Sequence, residues 1–240
     1  HFCERLNGLT IQIIAEHADF IVINKPVGVA MHDSEQGIIA QTKTITGDNA
    51  LYLCHRLDTV TSGCLLLARN KTAAAVLSEL FATRNIQKYY LAALSVKPSK
   101  KQGTIAGDMK NRRRGQHVLT KTRENPAVPQ FFSHHIDGLG RIALVKPLTG
   151  KTHQIRVAMK SLGAPILGDT HYGAPQADRV SLHAWQLHFD YEGQKFTISC
   201  LPQTGVFFTS PLFTTWLEKQ SCVTSLPWPA FTLPSKRDDE

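Results

Sequence analysis

The densest grouping of reactive side chains in the 240-residue chain is His55-Arg56-Leu57-Asp58-Thr59-Val60-Thr61-Ser62-Gly63. It puts an imidazole, a guanidinium and a lone carboxylate within four residues, in a Thr/Ser/Gly-rich segment flanked by the apolar runs LYLC and CLLLA. A turn Asp commonly caps its own turn or pairs with a nearby Arg. A carboxylate kept ionised by a guanidinium, on a loop held by rigid elements, has a second use as a nucleophile or an electrostatic stabiliser. The residues alone leave both uses open. A second stretch, KPLTGKTHQIRVAMKSLGAPILGDTHYG (146–173), sets Lys151, His153 and Arg156 near a predicted helix start. Free N–H groups there favour anions; a solvated amphipathic helix is the plain alternative. Asp169 and Tyr172 fall in the turn-rich loop that follows. A third stretch is Lys88-Tyr89-Tyr90. Neighbouring tyrosines on a strand face opposite ways, so one can fill the core while the other faces a site.

Several chemistries are set aside. HRLD is not the kinase HRD loop, which needs Asp directly after Arg, a later Asn, a Gly-rich phosphate loop and DFG. Neither a Walker A motif nor GxGxxG occurs, so nucleotide hydrolysis is unsupported. The five cysteines (Cys3, Cys54, Cys64, Cys200, Cys222) include no CxxC pair. That argues against a zinc site or a disulfide framework. Cys54 and Cys64 read as small buried hydrophobes. His183 and His188 lack helical i, i+4 spacing and an acidic cluster, so no metal is expected.

The elements that must hold these groups follow from the apolar pattern. LTIQIIAE (9–16) and DFIVINKP (19–26) read as strands, and residues 32–49 as loop with some helix. LYLCH (51–55) and CLLLAR (64–69) are unbroken apolar runs, which predicts strands buried on both faces. Asn70 predicts a cap for a helix from Lys71, with Val76, Leu77, Leu80 and Phe81 as its apolar face. KYYLAAL, HVLTKTR, PQFFSHHI, GRIALVKP, SLHAWQLHFDY and QKFTISC follow as strands. A helix is predicted over 149–163, starting near Thr149 or Thr152, and a last helix opens at Ser210-Pro211. Many strands and a few helices, not in strict alternation, give an α+β class. The proline-bearing tail 220–240 reads as a strap, draped through Trp228 and Phe231.

Charge narrows the partner. The net charge is +8. Residues 84–123 hold eleven Lys and Arg against the single acid Asp108, a surplus larger than that of the whole chain. This is either a solvated mobile loop or an electrostatic footprint for nucleic acid. No run approaches the length of a membrane span, and HFCERLNGLT has no signal-peptide pattern. The expectation is a cytoplasmic monomer with no membrane partner.

Together these stretches resemble the RluA group of pseudouridine synthases, which modify ribosomal and transfer RNA. The resemblance rests on HRLDTVTSG, KYY, TGKTHQIR…LGAPILGDTHYG and SLHAWQLHF in that order, with NKPVGVAMH near the front, and spans roughly residues 9–205. It implies a pseudouridine synthase fold: a mixed, mainly antiparallel sheet flanked by helices, with a basic central cleft. It implies isomerisation of uridine to pseudouridine in structured RNA without a cofactor. Asp58 matches the family's essential aspartate, a nucleophile at ribose C1′ or an aid to glycal formation. Tyr90 matches the tyrosine that lies against the base and is a candidate for proton transfer from C5. Arg156 matches the arginine that pairs with the aspartate. Arg56 matches a residue that fills the gap left by the flipped base. His55, Lys88, Lys110, Arg112, Arg113, Arg114, Lys151 and His153 are the expected RNA contacts. A catalytic domain over 1–219 is expected, with a basic insert at about 97–121 and no leading domain of the S4 type. Ala158 departs from relatives that often carry His there. The competing expectation is a basic RNA-binding or RNA-folding protein without required catalysis. A DNA-binding module lacks any helix-turn-helix or finger pattern.

Overall fold

Of the two unbroken apolar runs, CLLLA is a strand with both faces covered, whereas LYLCH is strand only over Tyr52–Leu53, with Tyr52 half-buried and Leu53 exposed. A computed structural model describes residues 11–32 and 37–234. Cys3, the first two residues of the first expected strand and the closing KRDDE lie outside the described residues. In chain order the first elements are β1 (Gln12–Glu16), β2 (Phe20–Lys25), α1 (Ile38–Thr46), β3 (Tyr52–Leu53), β4 (Ser62–Ala68), α2 (Lys71–Ala82) and β5 (Gln87–Leu94). There follow β6 (Gln102–Thr104), β7 (Met109–Asn111), β8 (His117–Leu119), β9 (Pro129–Ile136), β10 (Gly140–Pro147) and α3 (Gln154–Ser161). The chain closes with β11 (Leu182–Tyr191), β12 (Gln194–Ser199), α4 (Val206–Thr209) and α5 (Pro211–Glu218). The class is α+β with mostly antiparallel pairing. The chain folds as two units, one taking residues up to Tyr90 plus Leu182–Gln203, the other Leu91–Ser181 plus residues from Thr204 on.

In the first unit the strand order is β1-β2-β4-β11, with β12 on β11 and β3 on the end of β4. β2 and β4 are antiparallel, Phe20 opposite Ala68 and Lys25 opposite Gly63. β11 meets the start of β4 in parallel, His183 beside Ser62 and Ala184 beside Gly63. All residues of β2 and β4 are buried. Side chains alternate between two cores, as the pleat requires. Phe20, Val22, Cys64 and Leu66 pack with Leu77, Phe189 and Ile198 on one face. Ile21, Ile23, Leu65 and Leu67 pack with Ile38 and Leu57 on the other.

α2 starts where expected, with the Asn70 side chain accepting the Ala73 N–H at 2.8 Å. Its buried stripe is Ala73 and Leu77, flanked by Leu80 and Phe81; Val76 lies off it and is 45% exposed. Residues 38–46, read as loop with some helix, form a nine-residue helix ended by Gly47 in the left-handed region.

The second unit holds the antiparallel order β10-β9-β6 and a separate hairpin of β7 with β8. That hairpin occupies much of the basic segment, for which the charge offered a solvated mobile loop or a nucleic-acid footprint, and its second strand opens the HVLTKTR stretch. It turns through Arg113–Gly115, with Arg114 at φ 62°. HVLTKTR is strand only over its first three residues. The helix predicted from 149 begins at Gln154 instead. Neither threonine caps it: the Thr149 hydroxyl bonds the Gln154 side chain and accepts the Val128 N–H, and His153 holds the N-cap position at φ 57°. Ser210 caps α5, with Pro211 at its first position. The tail docks through Trp228, whose ring lies 4.7 Å from that of Phe132 and whose Nε1 donates to the Val223 carbonyl.

Candidate active site

Asp58 lies in the loop between β3 and β4, half-buried, and its carbonyl accepts the Thr61 N–H at 2.9 Å. The loop is held by its backbone. Lys25 is 0% exposed, and its Nζ donates to the carbonyls of Pro26 (2.8 Å), Thr61 (2.9 Å) and Thr59 (3.3 Å). Thr59 also accepts the Gly28 N–H at 2.8 Å. Three carbonyls match the three protons of an ammonium, so the buried charge is solvated by the loop's own backbone. The far limb is pinned to β11. A Cβ on Gly63, which sits at φ 120°, would collide with the Ala184 carbonyl, so this close approach needs glycine. Beside it the Ser62 hydroxyl lies 2.7 Å from His183 Nδ1, while His183 Nε2 lies 2.8 Å from the Cys200 carbonyl. A carbonyl only accepts, so Nε2 carries the proton and Ser62 donates to Nδ1.

The two tyrosines divide as the strand period requires. Tyr89 is buried, with its hydroxyl on Gln87 and its ring edge-on to His188. Tyr90 faces the other core, beside Leu57 and Ala184. Burial pushes the Tyr90 phenol well above its ordinary range, and the Asp58 charge adds to the shift. Asp58 and Tyr90 are therefore brought together, with the phenol in its neutral form. His55 stacks on Phe81 at 4.2 Å, and its Nε2 accepts the Leu66 N–H at 2.9 Å. Burial, aided by the nearby Lys88 charge, lowers its pKa to about 3. His55 is thus a neutral frame for the loop. Burial lowers Lys88 to about 8, and Arg56 is exposed.

In the second unit Arg156, on the first turn of α3, is 5% exposed. Its Nε and Nη2 grip the two oxygens of Asp169 at 2.9 and 2.8 Å, and its guanidinium lies over the Tyr172 ring, 5.0 Å from the centroid. His153 Nδ1 is 2.8 Å from the Tyr172 hydroxyl. Lys151 donates to the Asn125 side chain at 2.7 Å.

A family model for RNA pseudouridylate synthase matches residues 19–161, more than half of the chain. An uncharacterized RNA pseudouridine synthase of Haemophilus influenzae is 46% identical over 207 residues, 85% of this chain and 92% of that protein. This chain belongs to the RNA pseudouridylate synthase family. The ribosomal large subunit pseudouridine synthase D of Borreliella burgdorferi is 30% identical over 236 residues, 88% of this chain and 71% of that one. The solved structure of human RNA pseudouridylate synthase domain containing 1 superposes with a TM-score of 0.69 at 25% identity, covering 92% of this chain and 97% of that one. The chain is an RNA pseudouridine synthase, an isomerase of uridine in RNA.

In this synthase the remaining expected RNA contacts sit on the hairpin. Lys110, Arg112, Arg113 and Arg114 are all exposed at or beside its tip. The segment's one acid, Asp108, is occupied at the hairpin's base. It accepts from the Thr122 hydroxyl and the N–H groups of Glu124 and Asn125. Three features escaped the sequence reading: the Lys25 anchor, the Ser62–His183 bond and the pairing of Asp169 with Arg156. A lysine ending an apolar strand just before proline was the available signal for Lys25. Among the described residues no three His, Cys, Asp or Glu side chains group to hold a metal ion. No helix among them is long and apolar enough to cross a membrane.

Proposed function

We propose that Asp58 is the nucleophile of this synthase and acts on a uridine flipped out of its RNA. The observation that carries this reading is the Asp58 loop itself. A buried lysine and a glycine contact fix its backbone, and a neutral tyrosine lies within reach of the carboxylate's charge. Asp58 attacks ribose C1′ or assists glycal formation. The freed uracil turns and rejoins C1′ through C5, releasing Asp58; the C5 proton passes to the Tyr90 oxygen as the phenol's own proton goes on to water, and N1 takes a proton from water. Because burial keeps Tyr90 protonated, it serves as a stacking surface and hydroxyl donor that hands on a proton, not as a phenolate base. In this reading Arg156 is the cation that the family resemblance sets against the aspartate, and Arg56 fills the gap in the RNA stack. Unstacking costs a few kcal/mol, offset by phosphate contacts in a basic cleft. Lys88, Lys110, Arg112, Arg113, Arg114, Lys151 and His153 supply those contacts, with His55 bracing the loop.

The substrate is ribosomal or transfer RNA, in keeping with the family resemblance and with the named activity of the Borreliella relative. The enzyme works as a cytoplasmic monomer without cofactor, in a catalytic domain over 1–219. The test is tritium release. Bulk RNA from cells lacking the protein, labelled with uridine tritiated at C5, loses tritium to water when C5 forms its new bond. Wild type is expected to release it, and Asp58→Asn to bind the RNA without releasing any. Release by Asp58→Asn at the wild-type rate overturns the assignment.

A further inference from the structure

The side chain of Tyr172 stands where three functional parts of the second unit meet. It ends the 3-10 turn Thr170–Tyr172 and is 4% exposed. Its ring covers one face of the Arg156 guanidinium, whose edge is taken by both oxygens of the buried Asp169. A planar cation gripped along one edge and covered on one face has little orientational freedom left.

The hydroxyl does separate work. It accepts the backbone N–H of His117, first residue of β8, at 3.1 Å. It also lies 2.8 Å from Nδ1 of His153. That second bond ties the Tyr172 ring to the imidazole, whichever of the two supplies the proton. The bond also steadies a residue at φ 57°, a conformation that non-glycine residues adopt at a cost. A second tie joins the same two segments, since the Gln116 side chain donates to the His171 carbonyl. β8 is thereby docked on the 170–172 turn, and β8 carries β7 and the arginine-bearing tip.

We infer that Tyr172 is a positioning residue of the isomerisation. Its ring sets the orientation of Arg156, and its hydroxyl sets His153 and the basic hairpin for RNA. The bland alternative is a core aromatic whose loss lowers stability alone. The two differ because ring and hydroxyl can be removed separately. The ring half of the inference rests on the role given to Arg156 above; the hydroxyl half does not.

The experiment measures tritium release by wild type, Tyr172→Phe, Tyr172→Leu and Asp58→Asn on the same C5-tritiated bulk RNA, at several salt concentrations, with thermal unfolding of each protein. Tyr172→Phe keeps the ring. It is expected to hold kcat within about twofold while the apparent KM rises about fivefold, the scale of one hydrogen bond. The salt dependence of that KM should flatten, because a loosened hairpin neutralises fewer phosphates. Tyr172→Leu is expected to show the same KM change and, in addition, a kcat about tenfold lower, the scale expected when a positioned charge is allowed to drift. A Tyr172→Phe enzyme with the KM and salt slope of wild type overturns the inference. So does a Tyr172→Leu enzyme that folds and keeps the wild-type kcat. If Tyr172→Leu does not fold, Tyr172→Phe decides alone. Activity in Asp58→Asn would sink the nucleophile assignment and leave the Tyr172→Phe KM as an independent reading.

Discussion

Lys25 shows how a residue given no chemistry of its own can fix the loop of the proposed nucleophile. Its ammonium takes three backbone carbonyls, two of them from the Asp58 loop. Lys25→Met keeps the stem's bulk and removes this donor from the Pro26 and Thr61 carbonyls, while the Thr59 carbonyl keeps its Gly28 N–H. Destabilisation of about 2–4 kcal/mol is expected in urea unfolding, together with a lower kcat, since each buried unsatisfied group costs about 1–3 kcal/mol. His55 makes a second prediction at this scale. Its unfolded imidazole takes a proton near 6.5 and its folded one near about 3. Between those values the unfolded chain binds more protons, so stability present above pH 6.5 is lost as pH falls toward 3. Unfolding followed across that range should show a shallower loss in His55→Gln. An unchanged slope would mean the imidazole is not held neutral. The places of Asp58 in a loop, Tyr90 on a strand and Arg156 near a helix start were legible from the apolar pattern around them. The neutrality of Tyr90 and His55 was not, because it comes from burial, which spacing does not encode.

At the level of elements, strand identity was readable where both faces are buried. VIN and CLLLA leave a chain no exposed face to present. The start of α3 was read less well, and for a local reason. α3 starts five residues after Thr149 because Thr149 bonds Gln154 and Val128, so that hydroxyl braces a turn where the sequence suggested a cap. β7 and its pairing with β8 were missed, though HVLTKTR was read as a strand, because both strands are three residues each and at least partly exposed, too short to show a period. The hairpin's tip gathers three consecutive arginines. Replacing Arg112, Arg113 and Arg114 by Ala one at a time is expected to weaken RNA binding uniformly across sequences. Removing one phosphate-binding side chain should reduce the slope of log K against log salt by about 1. Filter binding of bulk tRNA and rRNA to Asp58→Asn protein over a salt series reads this without turnover. Slopes equal to wild type in all three variants would remove the hairpin from the RNA interface.

For the whole molecule, the surplus of positive charge pointed to a polyanion, and the ordered motifs to one reaction. Neither names the base modified, since target choice depends on how an RNA fits the surface and not on the residues that cleave the glycosidic bond. The most direct measurement maps pseudouridine in total tRNA and rRNA from three cell lines. One lacks the protein, one is complemented with wild type, and one with Asp58→Asn. At least one site is expected to be lost in the deletion, restored by wild type and left as uridine by Asp58→Asn. Restoration by Asp58→Asn would contradict Asp58 as the nucleophile, and no differing site in either RNA pool would contradict the proposed substrate class.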